Sequence, residues 1–339
     1  MRVFVTGANG FLGAAVVDAL VACGDQVVSL VRTPSSAPAH WADSSAITVV
    51  QGDLRAPAAW SAALDGCDAV VHLAAAKAGD FHQQFALTVV GTEQLLSAMQ
   101  RAGVRRLVHI STFSVYDYLV APVGSRLTET SALEQHPSAR DEYAQVKLVQ
   151  EQLAREFDGD VTIIRPGLVY GPDAWWNAGR VMRLAGNWWL AIAPEGVLKL
   201  THVRNCADAI ALAVHTPGAA GATLNIVDDE LPTQRQYERM LRAAGLVDGR
   251  TVAVPWRIAF FGASLLHRFN GWLFGGRAKL PGVIVPAKQA ARCKPLTYDH
   301  DLASRVLGWT PRLTVAQAIS SATHPPVDSA DVPGVGEGK

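Results

Sequence analysis

A chain of 339 residues with 49% apolar content is long enough for one large α/β domain with an added lobe, or for two domains. Its 30 Lys and Arg balance 30 Asp and Glu, so no net field or charge run steers it toward a nucleic acid. The scattered Cys23, Cys67, Cys206 and Cys293 have no metal or redox spacing, no apolar run is long enough to span a bilayer, and no leader precedes the first strand. A reduced, cytoplasmic protein without a metal site is expected.

The first predicted strand, Val3–Thr6, runs into Gly7, Gly10 and Gly13, and an alanine-rich helix follows over Phe11–Ala22. A strand that stops at a glycine turn and restarts as a helix presents unpaired N–H groups to a phosphate. Gly7 allows the tight turn, Gly10 the approach of a pyrophosphate, and Gly13 the close packing of helix on strand. Further strands are predicted at Val27–Val31, Ile47–Val50, Ala69–Leu73 and Leu107–Ile110. Helices fit between them, notably Phe81–Arg101, where Phe85, Val89, Leu95, Leu96 and Met99 recur at helical spacing. This alternation predicts a Rossmann-type, doubly wound parallel sheet over residues 1–165, with some later segments returning to it.

After about residue 165, Gly and Pro break the chain into short pieces, which predicts a smaller mixed α/β substrate lobe over 166–315. Helices are expected at Asn205–His215, Gln234–Ala244 and Asp301–Leu307, with Asn205 capping the first. Residues 325–339 are expected to form a disordered tail.

Tyr143 and Lys147 lie four apart at the start of a predicted helix, hence on one face. An ordinary surface helix gives the same spacing when the pair is taken alone. Beside an ammonium a phenol is expected to become more acidic and to exchange a proton with a carbonyl or alcohol oxygen. Thr112, just past the strand Leu107–Ile110, lies at the sheet edge where a cofactor would lie. Its hydroxyl either orients a substrate oxygen there or caps its own turn.

The motifs Thr6-Gly-Ala-Asn-Gly-Phe-Leu-Gly13, Gly52-Asp-Leu54, His72-Leu-Ala-Ala75, Val90-Gly-Thr92, Ser111-Thr112, Val115-Tyr116, Tyr143 with Lys147, Arg165-Pro-Gly-Leu-Val-Tyr-Gly-Pro172, His202-Val203 and Leu307-Gly-Trp-Thr-Pro311 occur in that order. In this the chain resembles the extended short-chain dehydrogenase/reductase, or NAD-dependent epimerase/dehydratase, family. The resemblance implies that Asn9, Phe11 and Leu12 join the three glycines on the dinucleotide. It places Asp53 and Leu54 at the adenine, Leu73, Ala74 and Ala75 along the cofactor groove, and Pro166, Leu168 and Val169 beside the nicotinamide. Tyr143 becomes the acid/base, Lys147 the ribose ligand that lowers its pKa, and Thr112 the family's Ser/Thr. Lys77, Phe113, Ser114, Trp175 and Trp176 fall on the substrate side. His72 and His202 read as framework, and Arg204 and Arg292 as surface residues or anion contacts. The family's dimer helices would be Phe81–Arg101 and Asp141–Glu156, so a homodimer is expected.

Departures from the family pattern narrow the function. Thr88 stands where Asn is common. Val31 replaces the carboxylate that holds the adenosine ribose, and Arg32 follows it, which favours NADP(H) with NAD(H) as the next choice. Phe113 replaces the Asp-Glu pair of nucleotide-sugar dehydratases, and Leu168 replaces an Asn of the epimerases. Both changes point to an apolar or amphiphilic substrate: sterol-like, acyl or polyketide-like. Pro255–Phe274 is aromatic and apolar and resembles the corresponding helix of 3β-hydroxysteroid dehydrogenase-like members. It reads as lobe core or packing surface, as pocket wall, or as a peripheral membrane contact carrying Arg257, His267 and Arg268. The expected activity is NAD(P)-dependent interconversion of a ketone and a secondary alcohol on a small molecule. The rivals are a nucleotide-sugar epimerase with tightly bound NAD and a non-catalytic dinucleotide sensor.

Overall fold

The computed structural model describes residues 1–172, 174–175, 180–274 and 280–323. Trp176 and the expected tail at 325–339 lie outside the described residues.

Seven strands, β1 (Arg2–Thr6), β2 (Gln26–Val31), β3 (Ile47–Gln51), β4 (Ala69–His72), β5 (Arg106–Ile110), β6 (Asp160–Pro166) and β7 (Thr223–Ile226), form one sheet in the order β7-β6-β5-β4-β1-β2-β3. All six pairings are parallel. The strand order reverses between β1 and β4, which places the ligand crevice of such a sheet beyond the C-terminal ends of those two strands. Burial on both faces explains the continuous apolar runs: Val3 and Val5 enter one core and Phe4 the other. The first core packs helices α1 (Phe11–Ala22) and α4 (Val203–His215) on the sheet; the second packs α2 (Gly91–Ala102).

The helix expected over Phe81–Arg101 is interrupted. A short helix, Phe81–Phe85, passes through a π-turn at Ala86–Val90 before α2 begins. Hydroxyls compete for backbone groups there: Thr88 Oγ1 accepts from Ala76 N at 3.0 Å, and Thr92 Oγ1 donates to the Thr88 carbonyl at 2.6 Å. Asn205 does not cap α4 either, because His202 takes that position. Asn205 Nδ2 instead donates to Asp228 Oδ1 and to the Leu313 carbonyl, both at 2.8 Å, tying the late segment down.

Outside the main sheet, Trp188–Ile192 pairs parallel with Arg250–Val254 and antiparallel with Arg180–Arg183, and Leu168–Tyr170 pairs parallel with Leu200–His202. Phe113, Tyr116, Tyr118, Ile192, Trp256 and Leu296 form the core of this part. Helix α5 (Trp256–Phe274) divides its apolar residues between two faces. Trp256 stacks on Phe260 at 4.9 Å between ring centroids, and Ala263 is buried, whereas Phe261, Leu265, Phe269 and Trp272 face solvent. No helix among the described residues is long and apolar enough to cross a membrane.

Candidate active site

The turn after β1 is built around backbone contacts that leave no room for side chains. Gly7 has φ +67°, and a Cβ on it would stand 2.9 Å from Ala74 N. A Cβ on Gly13 would overlap the carbonyl oxygens of Gly7 and Ala8. Gly10 begins α1 without any side-chain cap, and a Cβ there would meet only the Gly7 carbonyl, at 3.2 Å. The uncapped N–H groups and the helix dipole therefore face an open approach suited to a dinucleotide pyrophosphate. Leu12, Leu73, Ala74 and Ala75 are half-buried around this turn. Phe11 is partly exposed and reaches across to the backbone of Gly171. Asn9 donates its amide to Ser36 Oγ at 2.5 Å, holding the loop after β2 against the turn.

Past the ends of β2 and β3, Arg32, Gln51, Gly52, Asp53 and Ala59 line a cleft. Asp53 is paired with Arg55 through contacts of 3.0 and 2.7 Å, and those bonds hold its carboxyl below the ordinary range. Leu54 is buried against Gly91 and faces the second core. Arg32 is exposed and follows buried Val31, so the end of β2 offers a guanidinium and no carboxylate.

Helix α3 (Glu142–Glu156) is capped by Asp141, which accepts from Ala144 N at 2.9 Å. It points Tyr143 and Lys147 at the end of β5. The Tyr143 phenol lies near enough to the Thr112 hydroxyl for Thr112 to favour its ionised form. Thr112 caps its own turn, accepting from Ser114 N at 3.2 Å. Lys147 is buried and donates to the Ile110 carbonyl at 2.6 Å and to Gln150 Oε1 at 2.5 Å. The expected acidification of the phenol is not found. Burial pushes Tyr143 up to about 12 against the lowering effect of Thr112. The ammonium that was to acidify it is instead directed at two oxygen acceptors. Burial also lowers Lys147 to about 7, with the Glu151 carboxylate opposing and the exposed Lys77 adding to the fall. Burial thus favours the protonated phenol of Tyr143 and the neutral amine of Lys147.

Gln150 has no counterpart in the sequence expectations. Its amide nitrogen lies 3.1 Å from the Ala74 carbonyl, 2.9 Å from Thr92 Oγ1 and 3.0 Å from His72 Nε2. His72 Nδ1 in turn meets Thr6 Oγ1 at 2.7 Å. One buried network thus connects the ends of β1 and β4, helix α2 and Lys147. Below it, Glu151 takes Arg165 and Ser111, locking α3 to β5 and β6. The only signal in the sequence was that Gln150 and Glu151 follow Lys147 at one helical turn, on its own face.

The remaining expected site residues are dispersed. Phe113 is 1% exposed, its ring 5.5 Å from Tyr116 and 5.7 Å from Tyr298, so it packs in the lobe core. Ser114 is half-buried beside Thr112. Trp175 packs on Tyr170 at 6.0 Å, in the cluster of Tyr237 and Leu241. Pro166 is buried at the end of β6, and half-buried Leu168 and Val169 follow it. Leu168 lines a small cavity with Lys199 and Tyr298. His72 and His202 are buried and bonded, as framework residues should be. Among the described residues no cluster of His, Cys, Asp and Glu could hold a metal.

The profile of the NAD dependent epimerase/dehydratase family matches residues 3–226. Over 94% of the chain and 97% of the relative, the sequence is 30% identical to a 2-alkyl-3-oxoalkanoate reductase of Stenotrophomonas maltophilia. It is 28% identical, over 95% of both, to a 4-hydroxy-2-methyl-3-oxo-4-farnesyl-3,4-dihydroquinoline-1-oxide ketoreductase of Stigmatella aurantiaca. Half of the chain is 38% identical to 47% of a Mycobacterium tuberculosis 3 beta-hydroxysteroid dehydrogenase/Delta 5-->4-isomerase. The fold matches a dTDP-glucose 4,6-dehydratase from Streptomyces venezuelae with NAD bound at a TM-score of 0.70, 24% identity and coverage of 95% and 96%.

Proposed function

The chain belongs to the NAD dependent epimerase/dehydratase family and is an NAD(P)-dependent dehydrogenase/reductase of the extended short-chain type; from that premise we propose that it reduces a ketone to a secondary alcohol on an apolar or amphiphilic small molecule. The observation that carries this reading is the convergence of Thr112, Tyr143 and Lys147 at the end of β5. Bound at the glycine turn, a nicotinamide dinucleotide supplies the hydride. Tyr143 donates its phenolic proton to the ketone oxygen, and Thr112 holds that oxygen in line. Lys147, anchored by Gln150 and Ile110, keeps a third N–H for the nicotinamide ribose.

The substrate class rests on what the site lacks and on its relatives. Phe113 follows Thr112 where a dehydratase needs an acid/base pair, and Leu168 offers no hydrogen bond to a sugar diphosphate. Two relatives matched over nearly their whole length are named as reductases of oxo groups on alkyl or farnesyl-bearing molecules. The exposed Arg32 beside the Asp53 cleft supports NADP(H) over NAD(H). The segments after β6, apart from β7 and α4, would form the substrate lobe. A homodimer would form through the helices at Phe81–Phe85 and α3, where Phe81 and Val149 are partly exposed.

Absorbance of NADPH and of NADH followed over ketones of graded polarity tests the reading. Long-chain 3-oxo and sterol-like ketones should turn over, and faster with NADPH. Tyr143→Phe should lower kcat by about 10²-fold or more while NADPH binding is retained. Normal turnover by that variant would remove Tyr143 as the acid. NAD retained through purification, with no net NADPH consumption, would replace the reductase with an epimerase.

A further inference from the structure

Helix α5 presents an uncovered apolar face. Ile258 is 65% exposed, Phe261 71% and Trp272 80%, and Leu265, Leu266, Phe269 and Leu273 are each about half exposed or more. At 3.6 residues per turn these seven fall on a single stripe, opposite the face where Trp256, Phe260 and Ala263 pack into the lobe. The stripe runs the length of a helix roughly 28 Å long. Single exposed apolar residues are ordinary, but a contiguous stripe of aromatic and leucine side chains is an interaction surface.

Charge identifies the partner. The whole chain is neutral, yet from Gly249 to Tyr298 it has no Asp or Glu, while Arg250, Arg257, Arg268, Lys288, Arg292 and Lys294 are basic. Arg257 and Arg268, about three turns apart, lie along one edge of the stripe and are exposed. A second copy docked through this face would bring its own arginines and no carboxylate from α5 to meet them. An anionic lipid surface supplies the complement: acyl chains for the stripe and phosphates for arginines that extend from apolar ground.

We propose that α5 is a peripheral membrane anchor that lies flat in the headgroup region of an anionic bilayer, with Phe261, Leu265, Phe269 and Trp272 inserted and Arg257 and Arg268 at the phosphates. This binding is independent of the reductase reading, since none of these residues belongs to the Thr112, Tyr143 and Lys147 group.

The test is flotation of the full chain with vesicles of phosphatidylcholine alone and of phosphatidylcholine mixed with phosphatidylglycerol, in low and high salt. The protein should float with the mixed vesicles, at least about tenfold less with the neutral ones, and less as salt rises. A triple variant, Phe261→Ser, Phe269→Ser and Trp272→Ser, should lose flotation while keeping the thermal midpoint and the oligomeric state, because all three side chains face solvent. Arg257→Glu with Arg268→Glu should remove the preference for the anionic lipid. The proposal fails if the unaltered protein does not float, if the triple variant floats as well as the parent, or if the triple variant instead splits an oligomer that forms without lipid.

Discussion

Gln150 shows how one amide holds a buried lysine. Its oxygen takes the Lys147 ammonium, and its nitrogen is surrounded by Thr92, the Ala74 carbonyl and His72. A hydrogen bond to a charged group stabilises by about 1.5–3 kcal/mol, and leaving the partner buried without it costs a similar amount. Gln150→Leu preserves volume and removes both roles. We expect a loss of about 2 kcal/mol in urea unfolding, with kcat falling more than the apparent affinity for NADPH, because the lysine loses its fixed position while the glycine turn is untouched. Glu at this position restores an acceptor and should recover part of kcat. Unchanged stability and kcat in the Leu variant would mean that Ile110 alone holds the lysine.

At the scale of elements, the turn between β1 and α1 holds the closest glycine approach among the described residues. A methyl group on Gly13 would overlap backbone oxygen atoms that cannot rotate away, so Gly13→Ala must push α1 off the strand. Overpacking of this kind costs roughly 1–3 kcal/mol. Differential scanning calorimetry should show a lower midpoint, and dinucleotide affinity should fall with it if the uncapped N–H groups of α1 hold the pyrophosphate as proposed. A Gly13→Ala protein that melts and binds like the parent would disprove the close approach. This turn was legible in the sequence because its geometry is set by neighbours in the chain, and the same is true of the strand and helix alternation and of the four-residue spacing of Tyr143 and Lys147. What was not legible depends on residues distant in sequence. The π-turn at Ala86–Val90 is accompanied by a bond from Ala76, and the lysine points at Ile110 and Gln150 and not at the phenol. Composition marked α5 as apolar, but only packing shows which of its two interleaved apolar faces is covered.

Across the whole molecule, the sheet centre buries a row of neutral bases that controls its response to acid. His72 on β4 and His109 on β5 are register partners with ring centroids 5.6 Å apart, and both feel the charge of Lys147. Burial, helped by that charge, lowers His72 to about 3 and takes His109 well below its usual value; burial lowers His202 to about 4. In the unfolded chain all three protonate near pH 6.5. As pH falls below about 6.5, the unfolded state gains protons that the folded state refuses, so stability drops, by roughly 2 kcal/mol at pH 5 for each of His72 and His202, with His109 acting in the same direction. Burial raises Asp228 to about 6, so it takes a proton first in the folded state and offsets about 1 kcal/mol of that loss. Lys147, near 7 when folded, is charged in both states over most of this interval and adds little slope. Equilibrium urea unfolding between pH 7 and pH 5 should therefore show a steep net decline. His109 has no hydrogen-bond partner on either ring nitrogen among the described residues, so His109→Phe removes one titrating base with little loss of bonding and should make the decline measurably shallower. A stability that is level from pH 7 to pH 5 would mean that these histidines accept protons in the folded protein, and their neutral state there would have to be abandoned.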